Sequence, residues 1–167
     1  MKTYIILLTY FVFFIGCTSK ESSNIQTACP EIFVSKEHQY FYSKEFDQTQ
    51  SLEGYTAAIE NFSMQCQSTE RDAILSNLEI DFVIVPLNQE LKNFEIIYFV
   101  SILNLNNEIL DNQIFKFSGE FALDENSLPL KTLAKDNLQQ FVPKENNSYE
   151  ILIGFMLTKN QYNFLNN

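Results

Sequence analysis

One cysteine near the amino terminus stands in a setting that suits covalent chemistry. Lys2 is followed by a predominantly apolar run over residues 4–15, and Gly16 then precedes Cys17 directly. A small residue leaves room for a peptidase at the Gly16–Cys17 bond, and the cysteine offers a thiol for acylation. The pattern therefore predicts cleavage before Cys17 and attachment of lipid to its side chain.

The apolar run has the length of a secretory signal, because a helix that spans a bilayer needs about 20 apolar residues. With Gly16-Cys17 it resembles the lipobox of bacterial lipoproteins, although Phe14 stands where Leu is usual. An ordinary cleaved signal and an uncleaved anchor are the alternatives. We expect a signal peptide over residues 1–16, a lipidated Cys17 with a flexible tether over 17–28, and one domain over 29–167. Thr18, which follows the lipidated position, favours the outer membrane if the cell is Gram-negative.

Two further cysteines remain once Cys17 is acylated. Cys29 and Cys66 are far apart and form no CxxC motif, which argues against zinc-ribbon and thioredoxin-like sites. In an oxidising periplasm a Cys29–Cys66 disulfide is the natural expectation. Two buried, reduced thiols are the alternative.

Catalytic and metal-binding patterns are absent from the sequence. There is no G-x-S-x-G, H-E-x-x-H, Walker A or G-x-G-x-x-G motif, and His38 is the single histidine. We therefore predict no catalytic residue, no metal site and no cofactor. His38 is expected to be an ordinary residue at a strand edge.

Aromatic residues supply the one candidate for ligand binding. Tyr40, Tyr42 and Tyr55 could form an aromatic platform for a glycan, whereas alternating aromatics in strands more often belong to the core. The run over residues 94–103 is apolar on both faces, as in a central strand covered on two sides. If one face stays uncovered, it would offer an apolar patch to a partner.

The charge balance limits the possible partners. The chain has 11 basic and 21 acidic residues, a net charge of −10, and loss of the signal removes one more lysine. This charge argues against nucleic acid, which is bound by basic surfaces. It also argues against electrostatic binding to anionic lipid, so lipid chains must provide the anchor.

Most of the chain has the patterns of β-strands. Apolar runs or period-2 alternation predict eight strands over residues 32–34, 39–42, 55–64, 78–84, 94–103, 115–123, 138–142 and 149–157. Residues 67–76 are polar and predict a loop, residues 104–108 predict a hairpin turn, and Asn146-Asn147 predicts another turn. Residues 128–138 are the best helical candidate. The fold class that follows is mainly β, an antiparallel β-sandwich of immunoglobulin or fibronectin type with seven or eight strands.

The order of these segments resembles a family of small, largely uncharacterised lipoproteins of alphaproteobacterial envelopes. The resemblance rests on Cys29-Pro30, Cys66, Tyr98-Phe99-Val100, Ile109-Leu110 before Phe115, and a closing Tyr149-x-Ile151-x-x-Gly154-Phe155-x-Leu157-Thr158 with Tyr162-Asn163. It covers most of residues 29–163 and implies a β-sandwich facing the periplasm with one disulfide. It implies no assigned activity. The chain departs from the family in being richer in Asn, Ile and Lys.

These observations give an expected function and its alternatives. We expect a non-enzymatic lipoprotein that is held in the membrane by lipid, faces the periplasm and serves as an accessory or scaffold component of an envelope assembly. The alternative is a module that binds glycan or peptidoglycan through Tyr40, Tyr42 and Tyr55. An enzyme would require a pocket that unites His38 with two acidic side chains.

Overall fold

A computed structural model describes residues 29–44, 54–69, 73–143 and 149–166. These residues form a mainly β structure with one short α-helix, α1. The strands are β1 Glu31–Val34, β2 Tyr40–Tyr42, β3 Tyr55–Ser68, β4 Ala73–Pro86, β5 Asn93–Asn104, β6 Ile109–Glu120, β7 Thr132–Pro143 and β8 Tyr149–Phe155, and α1 spans Lys159–Asn166. The predicted mainly β sandwich with eight strands is confirmed.

One sheet, which we call the meander sheet, has the order β2-β3-β4-β7 and is antiparallel throughout. β4 is its centre and alternates regularly between buried and partly exposed residues, since successive strand residues point to opposite faces. Its inward side chains include Leu78, Ile80, Phe82 and Ile84, all at most 1% exposed. This alternation is the feature that made the strand recognisable in the sequence.

The second sheet, which we call the mixed sheet, has the order β1-β8-β5-β6. β5 is antiparallel to β6 and β8, whereas β1 lies parallel to β8. The prediction of a hairpin turn over residues 104–108 is correct: the side-chain oxygen of Asn104 accepts hydrogen bonds from the backbone of Asn106 and Glu108, each at 2.9 Å. Asn107 has φ of 61°, which asparagine tolerates better than most residues.

The core between the sheets is rich in aromatic rings. The ring of Phe82 lies 5.1 Å from that of Tyr98 and 5.9 Å from those of Phe117 and Phe155. Burial of each such side chain contributes about 1.5–3 kcal/mol. A polar contact also crosses the core, since the hydroxyl of Tyr98 donates to Asp136 of β7 at 2.6 Å.

The two sides of the sandwich are built from strands of different length. β1 and β2, with 4 and 3 residues, are the edge strands on one side, and α1 packs against β2 and the 3-10 turn Lys36–His38 there. β6 and β7, with 12 residues each, are the edge strands of the other side.

The predicted helix over residues 128–138 is wrong, because most of that segment belongs to strand β7. β4 pairs with all of β7, from Ile84 opposite Thr132 to Ala73 opposite Pro143, and this long ladder outweighs local helix preference. The predicted loop over residues 67–76 is too long. β3 continues to Ser68 and β4 begins at Ala73. The predicted turn at Asn146-Asn147 lies outside the described residues.

The sandwich has two ends that differ in their connections. At the entry end lie Cys29, the last residues of β3 and β7, the first residues of β4 and β8, and the β5–β6 turn. At the far end lie the β4–β5 connection, residues 87–92, and the β6–β7 connection, residues 121–131. Every long strand runs between these two ends.

Candidate functional site

The residues that carry the predicted lipid chemistry, Gly16 and Cys17, lie outside the described residues, as does the tether over residues 17–28. Among the residues that the structure describes, no helix is long and apolar enough to cross a membrane. The lipid anchor therefore stays a prediction from the sequence.

The predicted disulfide between Cys29 and Cys66 is present, with the two Cα atoms 5.4 Å apart. It joins the residues just before β1, in the mixed sheet, to β3 in the meander sheet. Cys66 is 2% exposed and Cys29 is exposed, so the bond runs from the surface into the interior. It fastens the point where the chain enters the sandwich.

The structure separates the three tyrosines of the predicted platform. Tyr40 is 53% exposed and lies opposite Ala58 on the outer face of the meander sheet, and Tyr42 shares that face. Tyr55 is 8% exposed and belongs to the core on the opposite face. The prediction that all three form one surface is wrong, because odd and even positions of these paired strands point in opposite directions.

Tyr55 instead links the two sheets at the far end. Its hydroxyl donates to the backbone carbonyl of Glu95 and accepts from the Glu95 N–H at 2.8 Å. β8 ends at Phe155, opposite Tyr98, so this stretch of β5 has no β8 partner and the tyrosine supplies one. Burial raises the pKa of Tyr55.

The side chain of His38 makes contacts that hold neighbouring elements of the fold together. Its Nδ1 lies 2.9 Å from the carbonyl oxygen of Phe155, and its ring contacts those of Phe99 and Tyr162. The hydroxyl of Tyr162 donates to Glu37 at 2.7 Å, which ties α1 to the 3-10 turn. These contacts hold the helix against the mixed sheet.

A cleft of about 610 Å³ lies at the far end of the sandwich, and we call it the far-end cleft. This volume is within the range of pockets that hold small ligands. Its lining comes from the β4–β5 connection, the start of β5, the end of β6 and the β6–β7 connection: Gln89, Glu90, Leu91, Lys92, Asn93, Glu120, Phe121, Leu123 and Ser127. None of these residues was predicted as a site residue.

A second concavity of about 470 Å³ shares Asn93 and Glu120 with the far-end cleft. The ring of Phe94 lies in its wall against Gly119, where an added Cβ would come within 2.6 Å of the ring. A side chain at position 119 would therefore displace Phe94. The position of the Phe94 ring in this wall depends on Gly119.

Hydrogen bonds hold the walls of the far-end cleft in place. The Phe121 N–H donates to the Lys92 carbonyl at 2.9 Å, which joins the two connections. The carboxylate of Asp124 accepts from the backbone of Asn126 at 2.9 Å and of Leu128 at 2.7 Å. The walls are thus ordered by contacts within the chain.

The charges that line the far-end cleft are unpaired within the described part of the chain. Glu90, Lys92 and Glu120 are exposed and form no ion pair there. Elsewhere, Glu95 binds Lys116 and Glu79 binds Lys135, each at 2.7 Å. The cleft therefore presents two carboxylates and one ammonium group to a ligand.

The residues that the structure describes contain no cluster of metal ligands. No three His, Cys, Asp or Glu side chains come close enough there to hold a metal ion.

No protein-family profile, curated protein or solved structure matches this chain. The resemblance to alphaproteobacterial lipoproteins remains a prediction.

Sequence reasoning missed the far-end cleft because its lining residues come from two separate stretches of the chain, within residues 89–93 and 120–127. They meet only because Asn93 pairs with Glu120 at the ends of β5 and β6. The signal available in the sequence was Phe121 at the end of a strand pattern, followed by a second apolar residue, Leu123. The structure shows that Leu123 is exposed.

Proposed function

We propose that the protein is a non-enzymatic lipoprotein of the bacterial cell envelope, anchored through lipid on Cys17 and facing the periplasm. The observation that carries this proposal is the apolar run over residues 4–15 followed by Gly16 and Cys17. The disulfide at Cys29 supports it, because such bonds persist in oxidising compartments. The proposed role is that of an accessory or scaffold component of an envelope assembly.

Physical chemistry supports lipid rather than protein as the anchor. Acyl chains contribute about 0.8 kcal/mol per buried methylene, and two chains suffice for stable attachment. An acidic chain with net charge −10 gains nothing from anionic headgroups. Thr18 after the lipidated cysteine favours the periplasmic face of the outer membrane.

The anchor is tested by growing cells with a clickable palmitate analogue and measuring label on the purified protein. We expect the wild-type chain to be labelled and Cys17→Ser to be unlabelled. Cys66→Ser is the matched control, since it removes a cysteine that the structure places in a disulfide, and it should keep the label. Equal label on Cys17→Ser and the wild type would reject the anchor.

The accessory role is tested by crosslinking in living cells, followed by detergent extraction and mass spectrometry. A reproducible set of envelope proteins that is lost in Cys17→Ser is the expected result. Recovery of no reproducible partner would count against an accessory role even if the lipid is present.

Glycan binding is a second candidate function, and it now rests on Tyr40 and Tyr42 alone. Tyr40 is 53% exposed on a sheet face where a sugar ring can stack. Purified sacculi should retain the wild type better than Tyr40→Ala/Tyr42→Ala. Phe33→Ala is the control, because Phe33 is an exposed aromatic residue of the other sheet. Equal retention of all three proteins would reject this function.

A further inference from the structure

We infer that the far-end cleft is the docking site for an extended segment of a partner protein, one that carries basic side chains beside apolar ones. This inference rests on the proposed accessory role and names the surface and the chemistry that such a role would use.

The apolar part of the cleft suits an aliphatic side chain of a partner. Phe121 is 4% exposed and belongs to the packed interior, and Leu91 packs against the core. Leu123, by contrast, is 54% exposed at the wall of the cleft. Further along the same connection Leu130 is 45% exposed. Apolar side chains of this kind within a charged surface are typical of protein interfaces.

The charges select a basic segment. Glu90 and Glu120 line the cleft together with one lysine, Lys92. Glu125 and Lys131 are both exposed in the β6–β7 connection, so the carboxylates of this region still outnumber its ammonium groups. Asp124 is already engaged by backbone N–H groups and adds negative potential without needing a counter-charge. A cationic segment gains from this arrangement, whereas an acidic one is repelled.

The cleft needs little rearrangement to bind. Residue Leu130 donates its N–H to the Ala122 carbonyl at 2.7 Å, and the Ala122 N–H donates to the Thr132 hydroxyl at 2.9 Å. These bonds join the beginning of the β6–β7 connection to its end. A preformed site avoids the entropic cost of ordering a loop on binding.

The far end is also the accessible end of an anchored molecule. The chain enters the sandwich at Cys29, and the long strands carry the cleft to the opposite end. A protein held at its amino terminus therefore presents the cleft away from its attachment point.

The test uses the full chain in nonionic detergent and three fluorescein-labelled peptides. The basic probe is Gly-Leu-Lys-Leu-Lys-Gly, and the other two carry Gln or Glu in place of both Lys. Fluorescence anisotropy should show the basic probe binding about five- to tenfold more tightly than the Gln probe, as expected for two exposed ion pairs. The Glu probe should bind most weakly, and 0.5 M salt should reduce the differences.

Variants locate the binding. Glu90→Gln/Glu120→Gln should weaken the basic probe to the level of the Gln probe. Glu31→Gln/Glu60→Gln changes the net charge equally at exposed residues outside the cleft and should leave binding unchanged. Leu123→Ser should weaken the basic and the Gln probes alike. All of these substitutions are at exposed positions, and circular dichroism would verify that each variant is folded.

Two results would overturn the inference. Equal loss of binding in both Glu double variants would mean general attraction to an acidic chain, and equal binding of all three probes would mean that charge does not select the ligand. Palmitate labelling at Cys17 is independent of these outcomes, so failure of the docking site is distinguishable from failure of the anchor.

Discussion

The two ends of the sandwich are held together by different means. At the entry end, Cys66, Ser76 and Gln140 lie side by side on the inner face of the meander sheet, and Cys66 forms the disulfide with Cys29. At the far end the interior is aromatic, with Tyr55, Phe94 and Phe121 in mutual contact at ring distances of 5.4–6.4 Å. The interior of the entry end thus combines polar side chains with a covalent bond, whereas the interior of the far end is packed with aromatic rings.

The two ends therefore illustrate two ways in which a folded chain is stabilised. Hydrophobic packing stabilises the folded state directly, in proportion to the apolar area that is buried. A disulfide acts mainly on the unfolded chain, by restricting its conformations. The far end can therefore stay rigid around a cleft, and the entry end can accept polar residues in its interior.

The largest expected effect is at the far end. Phe121→Ala removes a ring that is 4% exposed, and we expect a loss of about 3–5 kcal/mol in the free energy of unfolding. Leu105→Ala is the control at the entry end, since Leu105 is 68% exposed, and should change stability by less than about 0.5 kcal/mol. Urea denaturation followed by circular dichroism measures both. Similar losses in the two variants would contradict an aromatic basis for far-end stability.

The next effect is at the entry end. Cys29 and Cys66 are 37 positions apart, and replacing both by Ser should cost about 3–4 kcal/mol in the chain-entropy model. Because this cost arises in the unfolded state, amide exchange around Phe121 should rise no more than elsewhere in the core. Exchange that increases only at the entry end would instead show a local role for the bond.

A smaller effect is expected at mid-sandwich, between the two ends. Tyr98→Phe leaves the partly buried Asp136 without its donor, and we expect a loss of about 1–3 kcal/mol. Burial raises the pKa of Tyr98 above 10.0, and the hydrogen bond and charge of Asp136 raise it further. The contribution of Tyr98 is therefore complete below about pH 10 and is lost as the pH rises above that value, where the unfolded chain ionises first.

Denaturation at a series of pH values from 8 to 11 tests this dependence. Wild-type stability should fall above about pH 10, and Tyr98→Phe should fall less steeply. Tyr40→Phe is the matched control, because it removes the hydroxyl of an exposed tyrosine outside the core. Identical slopes in all three proteins would contradict the assignment to Tyr98.

The smallest effect is an expected gain at the entry end. Gln140 is 2% exposed, and its side-chain amide has no hydrogen-bond partner within the described part of the chain. Gln140→Leu should raise the free energy of unfolding by about 1 kcal/mol, because it removes an unsatisfied buried polar group. Gln139→Leu, at the exposed neighbouring position, should give no such gain. A loss in Gln140→Leu would show that the amide is needed.

Regular alternation decided which parts of the fold were predictable. β4 and the second half of β6 were recognised because their apolar and polar residues alternate with the strand period, whereas β5 was recognised as a continuous apolar run. Only residues 138–142 of β7 were predicted as a strand, because Asp136 and Gln140 point inward while Leu133 is 70% exposed. In that strand, pairing with β4 determines the structure, and a single sequence does not reveal a pairing partner.

The C-terminal helix shows a signal that was present and unused. Thr158 and Gln161 form a capping box, in which the Thr158 N–H donates to the Gln161 side chain at 2.8 Å. The Gln161 N–H donates to the Thr158 hydroxyl at 3.3 Å, and the Gln161 amide donates to the Tyr42 carbonyl. The far-end cleft had no comparable local signal, because Glu90 lies in the β4–β5 connection and Glu120 at the end of β6.

The position of the Cys29–Cys66 bond also has a mechanical meaning. β1 is held to β8 by only four residue pairs, and these would be the first to open if the chain were pulled from its amino terminus. Cys29 precedes β1, however, so tension passes through the sulfur atoms into β3, which is paired to β4 along most of its length. The short edge strand carries no force, and the sandwich can be dragged by its amino terminus without unravelling from that side.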